Sequence, residues 1–411
     1  MGRKNMEAFG CTVSDVDQAE WIEATKSVYD DASLGIDTDL LAKIQETVAG
    51  VQASLTAAPA AEAAPAAEET KAEEAPAAAE TPEGMLPPVL TEPVDADPLG
   101  AADATLRLKC GDTNAMTSAY NQGLVALRKH LEELSGGTMT IDVYPSSSLG
   151  NESDMLDAVS MGTQDMLVTS TGPIPAFAKS TANWAVLDLP YLFPSYETAY
   201  EVLDGEVGQQ LLAGFDGTGV KALAFWENGY RCTTNSKKEI VHPDDLKGMK
   251  IRTMENKVHM ATYTALGATP TAMAMGEVFS ALQQGTIDGQ ENPFSIIYYG
   301  NKLHEIQPYI TQNDVFYSPA VLCISEDVFN GLTEEQQGWL LEASELAKHE
   351  QRAIERGMQQ MGRKNMEAFG CTVSDVDQAE WIEATKSVYD DASLGIDADL
   401  LAKIQAVTGA N

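Results

Sequence analysis

Two arginines near predicted strand ends are the groups in this chain best suited to hold an anion. Arg252 lies in the run MKIRT (249–253), where apolar and basic residues alternate as on a half-buried strand. Arg231 follows the strand-like run VKALAF (220–225). A guanidinium offers a planar fork that pairs with a carboxylate through two hydrogen bonds, which a lysine cannot do. The pattern predicts a bound acid, held more by Arg252 than by Arg231. An ordinary structural ion pair is the alternative for either arginine.

Other side chains near strand ends could complete such a site. Asn292, in GQENP (289–293), could donate and accept hydrogen bonds at a strand tip, and a turn-forming role is the alternative. Trp226 could form an apolar wall of a cleft, or it could belong to the core. Met275 is predicted to lie in the core or in the cleft wall. These residues favour a mixed polar and apolar binding site.

Motifs for catalysis, for metals or for phosphate binding are not found in this sequence. No histidine has a second histidine four residues away, and HExxH, GxSxG, P-loop and GxGxxG patterns do not occur. The five cysteines lack CxxC spacing, so buried or unpaired thiols are expected rather than a disulfide framework or zinc site. Because catalytic triads are spatial, an enzyme is not excluded. No cofactor, no metal and no enzymatic activity are predicted.

The balance of charge limits the partners. The chain has 411 residues and a formal net charge of -36. This charge argues against nucleic acid and against anionic membrane surfaces, and an anion site must therefore be locally positive. No apolar run is long enough to span a membrane. The start MGRKNMEAFG lacks the apolar segment of a signal peptide, so this form is expected to have no export signal.

A long duplication lies at the two ends of the chain. Residues 1–45 recur at 361–405 with one difference, Thr38 against Ala398. The second copy begins inside a helix predicted from the capping box at Thr333 to the C-cap at Gly370. Such a boundary favours a gene-level accident or a sequence-joining error over a functional module. The N-terminal copy is expected to be loosely docked or free, with a swapped dimer as the alternative. A non-functional chimera is a further reading.

An Ala/Pro/Glu-rich stretch, 46–103, is predicted to be a disordered tether, because it cannot bury enough apolar surface to order itself. From residue 105 onward, strand-like and helical patterns alternate, which predicts an α/β fold with mostly parallel strands. Nearly 300 residues of this pattern indicate two lobes with the site at the carboxyl ends of strands. The strand-like runs are TLRLKC (105–110), MTIDVY (139–144), DMLVTS (165–170), VKALAF (220–225), MKIRT (249–253) and FYSPAVLCIS (316–325).

Several ordered motifs make the chain resemble a particular family. They are YPSSSLGNESDMLDAVSMGTQDM, DLPYLF, DDLKGMKIRTMEN, LGATPTAMAMGEVFSALQQGTIDGQENP and HEIQPY. From about 105 to 405, the sequence is similar to the DctP-type solute-binding proteins of TRAP (tripartite ATP-independent periplasmic) transporters. The resemblance implies a periplasmic-binding-protein-like fold with hinge strands and a long helix spanning both lobes. The implied lobes are 104–228 with 317–356, and 229–316 with 357–411.

The resemblance also implies roles for individual residues. Arg252 matches the arginine that clamps a carboxylate, Arg231 matches a second basic position that assists it, and Asn292 matches a loop asparagine that reaches the ligand. Glu255 could accept hydrogen bonds from ligand hydroxyls, which would favour a hydroxylated acid such as a uronate. The first lobe is expected to contribute residues that follow two of its strands, namely Thr113 or Asn114, and Ser170 or Thr171.

The implied function is capture of a small organic acid outside the cytoplasm. The acid could be a uronate, another sugar acid or a C4-dicarboxylate, and delivery would be to the membrane permease subunits of a TRAP transporter. The resemblance implies a periplasmic location or the outer face of the cell membrane, and a monomer is expected. The family's export signal is not recognised here. A ligand sensor for a receptor kinase and an enzyme on the same bilobed fold are the alternatives.

Overall fold

The computed structural model describes residues 96–410. Their strands form one nine-stranded sheet. The strands are β1 (Leu106–Gly111), β2 (Met139–Tyr144), β3 (Met166–Ser170), β4 (Val220–Asn235), β5 (Lys250–Thr253), β6 (Thr269–Ala272), β7 (Gly289–Asn292), β8 (Tyr309–Ser325) and β9 (Thr372–Asp375). The N-terminal copy and the predicted tether up to residue 95 lie outside the described residues.

The sheet has two halves joined by two long antiparallel strands. Its order is β2-β1-β3-β8-β4-β7-β5-β6, and β9 pairs with β8. In the first half, β1 pairs in parallel with β2 and β3. In the second half, β5 pairs in parallel with β6 and β7. Because β4 and β8 run through both halves, the fold is two-lobed and these two strands connect the lobes.

The crossing between the halves is irregular. The pairing of β4 with β8 shifts register between Glu227 and Gly229, close to the middle of both strands. Gly229 has φ +110°, a backbone conformation that residues with a side chain rarely adopt because it is strained for them. A Cβ atom at this position would also lie 2.7 Å from Oε1 of Glu355. The glycine therefore allows the strand to bend beside a packed helix at the point where one lobe meets the other.

Eleven α-helices in residues 96–410 cover the sheet. They are α1 (Ala119–Leu134), α2 (Glu152–Ser160), α3 (Ile174–Phe177), α4 (Tyr196–Asp204), α5 (Glu206–Leu212), α6 (Lys257–Ala265), α7 (Met275–Gln283), α8 (Glu326–Gly331), α9 (Glu334–Phe369), α10 (Gln378–Thr385) and α11 (Ala398–Thr408). A π-helical turn spans Ile296–Gly300. Short 3₁₀ segments are Lys179–Asp188, Ala213–Phe215, Pro243–Leu246, Leu303–Glu305, Lys386–Val388 and Ala392–Leu394.

The long helix α9 begins and ends where its sequence predicts. Thr333 caps the N-terminus in a capping box with Gln336, and Gly370 ends the helix with φ +105°. Leu340 lies in the core of the first half, whereas Met366 lies in a cluster of the second half. The prediction of a helix that spans both lobes is therefore confirmed. The helix continues through residue 361, where the duplicated segment begins.

The strand predictions are correct in place but short in extent. Apart from at most one residue at its start, each of the six predicted runs lies within a strand, while β4 and β8 are longer than predicted and β6, β7 and β9 are not predicted. The exact lobe boundaries stay a prediction. One observation bears on them: α11 packs through Leu400 and Ile404 into a core that also holds Val202 of α4 and Leu211 of α5. The end of the predicted second lobe therefore contacts helices of the predicted first lobe.

Two further sequence features can be placed in the described part of the chain. None of its helices is long and apolar enough to cross a membrane. The four cysteines within residues 96–410 are free and buried: Cys110, Cys232, Cys323 and Cys371. Cys11 lies outside that range.

Candidate functional site

The carboxyl ends of β1, β3, β5 and β7 meet around one small cavity of about 20 Å³. Parallel strands direct their following loops to the same edge of a sheet, and this edge is where ligands bind in open α/β folds. The lining residues come from both halves of the sheet. They are Thr113, Asn114, Tyr120, Glu152, Ser170, Asn228, Arg231, Arg252, Met254, Met275, Asn292 and Ile296.

Arg252 is a buried cation with an incomplete set of partners. Its side chain is 3% exposed, and both Nε and Nη2 donate to the carbonyl oxygen of Met273, at 2.8 and 2.6 Å. Nη1 is buried and has no hydrogen-bond partner. No ion pair joins Arg252 to a carboxylate in residues 96–410. Burial lowers the pKa of Arg252 to about 10, so the group stays charged at neutral pH; the charges of Glu291, Glu152 and Glu255 oppose this shift, although none of the three forms an ion pair with Arg252.

Arg231 has the opposite arrangement, because a carboxylate of the protein already neutralises it. Arg231 and Glu291 are both fully buried and pair through Nε and a second contact from Nη2 to Oε1 at 3.1 Å. Nη2 also donates to the backbone oxygen of Glu291 at 2.9 Å. Burial alone would raise the pKa of Glu291, but the guanidinium of Arg231 holds it at about 2. Arg231 therefore brings little net positive charge to the cavity.

A second layer of buried charge lies behind this pair. His259 lies 3.4 Å from Glu291 and 3.5 Å from Asp188, and its ring stacks on Phe316 at 3.9 Å. Burial disfavours the imidazolium, yet the two carboxylates raise the pKa of His259 above its ordinary value. Asp188 also accepts a hydrogen bond from Thr171 at 2.6 Å. Of these groups, His259 contacts Glu291, and none of them lines the cavity.

Neutral polar groups form much of the remaining lining. Asn292 donates from Nδ2 to Oε1 of Gln290, its neighbour on the same side of β7. Asn228 donates to Ser318 at 3.3 Å, and Asn114 accepts from Asn301 at 2.8 Å. The hydroxyl of Tyr120 is buried and has no hydrogen-bond partner. These side chains can exchange hydrogen bonds with hydroxyl or carbonyl oxygens of a ligand.

Glu152 adds one carboxylate to the cavity wall. It is the first residue of α2, directly after the N-cap Asn151. Its Oε1 accepts from the backbone nitrogen of Ser170 at 2.6 Å and from Oγ1 of Thr169 at 3.1 Å. Both of these bonds end on the same oxygen. The second oxygen, Oε2, takes part in neither of these two bonds.

The structure brings together seven of the ten residues that the sequence suggests for the site. Those lining the cavity are Thr113, Asn114, Ser170, Arg231, Arg252, Met275 and Asn292. Thr171 instead bonds Asp188, and Trp226 lies fully buried in the core of the first half. Glu255 is exposed and lines a smaller space beside Arg252. Trp226 is therefore a core residue, which was the alternative to a position in the cavity wall.

Five lining residues were not singled out from the sequence: Tyr120, Glu152, Asn228, Met254 and Ile296. Glu152 could have been found, because it opens a predicted helix within the SLGNESD stretch. Asn228 comes to the cavity through the irregularity between Glu227 and Gly229, which has no reliable sequence signal.

A larger cleft, of about 850 Å³, lies elsewhere and is lined by residues such as Tyr196, Tyr230 and Arg363. It lacks the unpaired buried cation found in the small cavity, because Arg363 pairs with Asp375 and Glu367 and the other lining cation, Lys364, is exposed. Within residues 96–410, no cluster of three or more His, Cys, Asp or Glu side chains could hold a metal ion. The small cavity around Arg252 is therefore the candidate site.

Known proteins share both the sequence and the fold. A solute-binding protein of Verminephrobacter eiseniae is 39% identical over 289 residues, which cover 70% of this chain and 84% of the relative. The 2,3-diketo-L-gulonate-binding periplasmic protein YiaO of Escherichia coli is 32% identical over 68% of this chain and 85% of its own length.

A solved structure agrees with these relatives. The TRAP periplasmic solute-binding protein of a Polaromonas species, bound to D-erythronate, superposes with a TM-score of 0.70 and 37% identity, over 74% of this chain and 100% of that one. The sequence model described as "Bacterial extracellular solute-binding protein, family 7" (DctP) matches residues 110–394. The chain therefore belongs to this family of extracellular solute-binding proteins, as the motifs in its sequence predict.

Proposed function

We propose that this chain captures a small organic acid and delivers it to the permease of a TRAP transporter. The observation that carries the proposal is Nη1 of Arg252, a buried donor on a charged group with no acceptor. An unpaired buried charge costs free energy, and a bound carboxylate would remove that cost. The carboxylate of the ligand pairs with Arg252 in this account.

The position of the cavity supports capture by closure of the two lobes. Thr113, Tyr120 and Ser170 come from the first half, whereas Arg252 and Asn292 come from the second half. A ligand that contacts both halves stabilises the form in which they lie close together. Closure also excludes water, which strengthens the ion pair with Arg252 because the local dielectric is lower.

The relatives support an acid as ligand and an extracytoplasmic location. The Escherichia coli relative is named for binding 2,3-diketo-L-gulonate in the periplasm, and the Polaromonas protein was solved with D-erythronate. Both ligands are hydroxylated acids, and Arg252 and the polar lining of this cavity suit the same chemistry. We infer that the chain works outside the cytoplasm, that it acts by binding without turnover, and that the ligand passes unchanged to the membrane subunits.

The test is a thermal-shift screen of uronates, aldonates and C4-dicarboxylates, followed by mass spectrometry of the ligand recovered from the complex. The proposal predicts that at least one acid raises the melting temperature and is recovered unchanged. Failure of every acid to bind would contradict it. A chemically altered product would favour an enzyme on the same fold.

A further inference from the structure

We propose that this cavity selects hydroxylated monocarboxylic acids and rejects dicarboxylic acids of the same chain length, with Glu152 as the residue that sets this preference. The inference rests on the proposed function, because it assumes that an acid binds at Arg252. It narrows the ligand class from organic acids in general to acids with one carboxylate and several hydroxyls.

The positive charge available to a ligand comes from the side chains that line the cavity. The charged side chains in the cavity lining are Arg231, Arg252 and Glu152. Arg231 is committed to Glu291 through contacts to both carboxylate oxygens and to the backbone oxygen. Arg252 is then the one cation in the described lining without a carboxylate partner. One unpaired guanidinium matches one carboxylate.

The wall of the cavity also carries a negative charge, the carboxylate of Glu152. Glu152 is held by the backbone of Ser170 and by Thr169, both on one oxygen, so its other oxygen keeps its capacity to accept. A ligand hydroxyl could donate to this oxygen. A second ligand carboxylate could not donate and would be repelled by it, because two like charges a few ångströms apart in a partly buried site interact unfavourably.

The rest of the cavity wall offers neutral hydrogen-bond partners to the hydroxyls of a ligand. Tyr120 has a buried hydroxyl without a partner, and Asn228 and Asn292 add amide groups. Thr113 and Ser170 add hydroxyls. A site whose buried polar groups are left unpaired by the wrong ligand discriminates strongly, because each unpaired group keeps its desolvation cost.

A second cation that could accept a dicarboxylate does not reach the cavity in the described part of the chain. His259 is a buried group that could carry such a charge, but it lies between Glu291 and Asp188, both of which are acidic. It is also absent from the lining. A second carboxylate would therefore meet neutral groups and Glu152.

The experiment compares matched pairs of acids by titration calorimetry on the full chain. D-Erythronate and meso-tartrate share a four-carbon hydroxylated chain, and D-galactonate and galactarate share a six-carbon chain. Within each pair, a terminal hydroxymethyl group is replaced by a carboxylate. We expect the monocarboxylate of at least one pair to bind at least about 100-fold more tightly than its diacid. Equal or tighter binding of the diacids would overturn the inference and leave the proposed function intact. Binding of neither class, in these pairs and in the wider acid screen, would overturn both.

Variants identify the residue responsible. Glu152→Gln keeps an acceptor oxygen for Ser170 and Thr169 but removes the charge, so we expect the preference for the monocarboxylate to shrink at least tenfold. Glu133→Gln removes the same charge from an exposed position on α1 and is the matched control, with an unchanged preference. An unchanged preference in Glu152→Gln, or an equal change in both variants, would contradict the role of Glu152.

Discussion

Two arginines in one cavity show how the surroundings of a residue decide what it can do. Arg231 and Arg252 are both buried and both line the cavity. Glu291 neutralises Arg231, whereas Arg252 has only the backbone oxygen of Met273. The first arginine therefore stabilises the fold, and the second is available for a ligand carboxylate. Removing one member of a buried ion pair leaves an uncompensated charge, while removing an unpaired cation relieves one.

This difference predicts opposite effects of the same substitution on the ligand-free protein. We expect Arg231→Met to lower the free energy of unfolding by about 3 kcal/mol or more, because Glu291 would remain buried without its partner. Arg252→Met should leave the melting temperature unchanged or raise it. Differential scanning calorimetry of both variants after removal of bound ligand measures this. A larger loss of stability in Arg252→Met than in Arg231→Met would contradict the division of roles.

At this scale the sequence predicts residue types near the site better than it predicts their pairing. The alternation in MKIRT suggested that Arg252 lies on a strand beside a cleft, and it does. The neutralisation of Arg231 could not be predicted, because Glu291 lies 60 residues away and reaches it only through the pairing of β4 with β7. Trp226 has no local feature that separates a core position from a cavity wall.

Among the elements, β4 has a buried carboxyl group, that of Glu227, at the point where the strand passes from one lobe to the other. Glu227 is fully buried, and its Oε2 accepts from the hydroxyls of Tyr200 at 2.5 Å and Tyr317 at 3.2 Å. Burial raises the pKa of Glu227 to about 7, although the two hydroxyls act in the opposite direction. Glu355 of α9 is also buried, and burial raises its pKa well above the ordinary value. Both carboxyls lie beside the connection between the lobes.

The raised pKa of Glu227 predicts how stability depends on pH. The folded protein holds a proton on Glu227 that the unfolded chain releases above its ordinary value of 4.5. This contribution is therefore fully present below pH 4.5 and is lost as pH rises through 7, at about 1.4 kcal/mol for each pKa unit before relaxation of the structure. Glu227→Gln should remove it. The melting temperature of the variant relative to the unmodified protein should rise between pH 4.5 and pH 8.

The comparison between variant and unmodified protein is needed because the pKa values of Glu355 and His259 are also raised in the folded protein, so both groups add their own pH dependence. A constant difference in melting temperature across this pH range would show that Glu227 is not protonated in the folded state.

Strong local signals explain which elements the sequence could predict. The capping box at Thr333 and the glycine at 370 fix both ends of α9. The strand β6 reads TPTA, contains a proline and is mostly exposed, so it has no apolar alternation. The strand β7 reads GQEN and is polar yet buried, because it pairs with both β4 and β5. Its burial depends on neighbours far away in the chain.

For the whole molecule, the site and its supports are contained in one continuous sheet and its helices. Every residue of the cavity lining belongs to residues 96–410, and so do β4, β8 and α9, which connect the lobes. The whole chain has a net charge of -36, whereas the cavity lining contains one arginine, Arg252, that has no carboxylate ion pair. The two-lobed fold could be predicted from the motifs, whereas the effect of the duplicated ends could not.

This arrangement predicts that the N-terminal segment is dispensable for binding. We expect deletion of residues 1–95 to change the affinity for the bound acid by less than about twofold and the melting temperature by about 1–2 °C at most, since one kcal/mol corresponds to a shift of that order in a large domain. Calorimetric titration and scanning calorimetry measure both. A large loss of stability, or a dimer that disappears on deletion, would show that the first copy of the repeat is structural.

The central claim is that Arg252 clamps the carboxylate of the ligand, and calorimetric titration of Arg252→Lys tests it most directly. Lysine keeps the positive charge but loses the planar pair of donors. With the acid that binds most tightly in the screen, we expect the dissociation constant to rise about 100-fold, equivalent to about 2.7 kcal/mol. The unliganded melting temperature should stay close to that of the unmodified protein. An unchanged dissociation constant in a folded Arg252→Lys variant would contradict the assignment of the clamp.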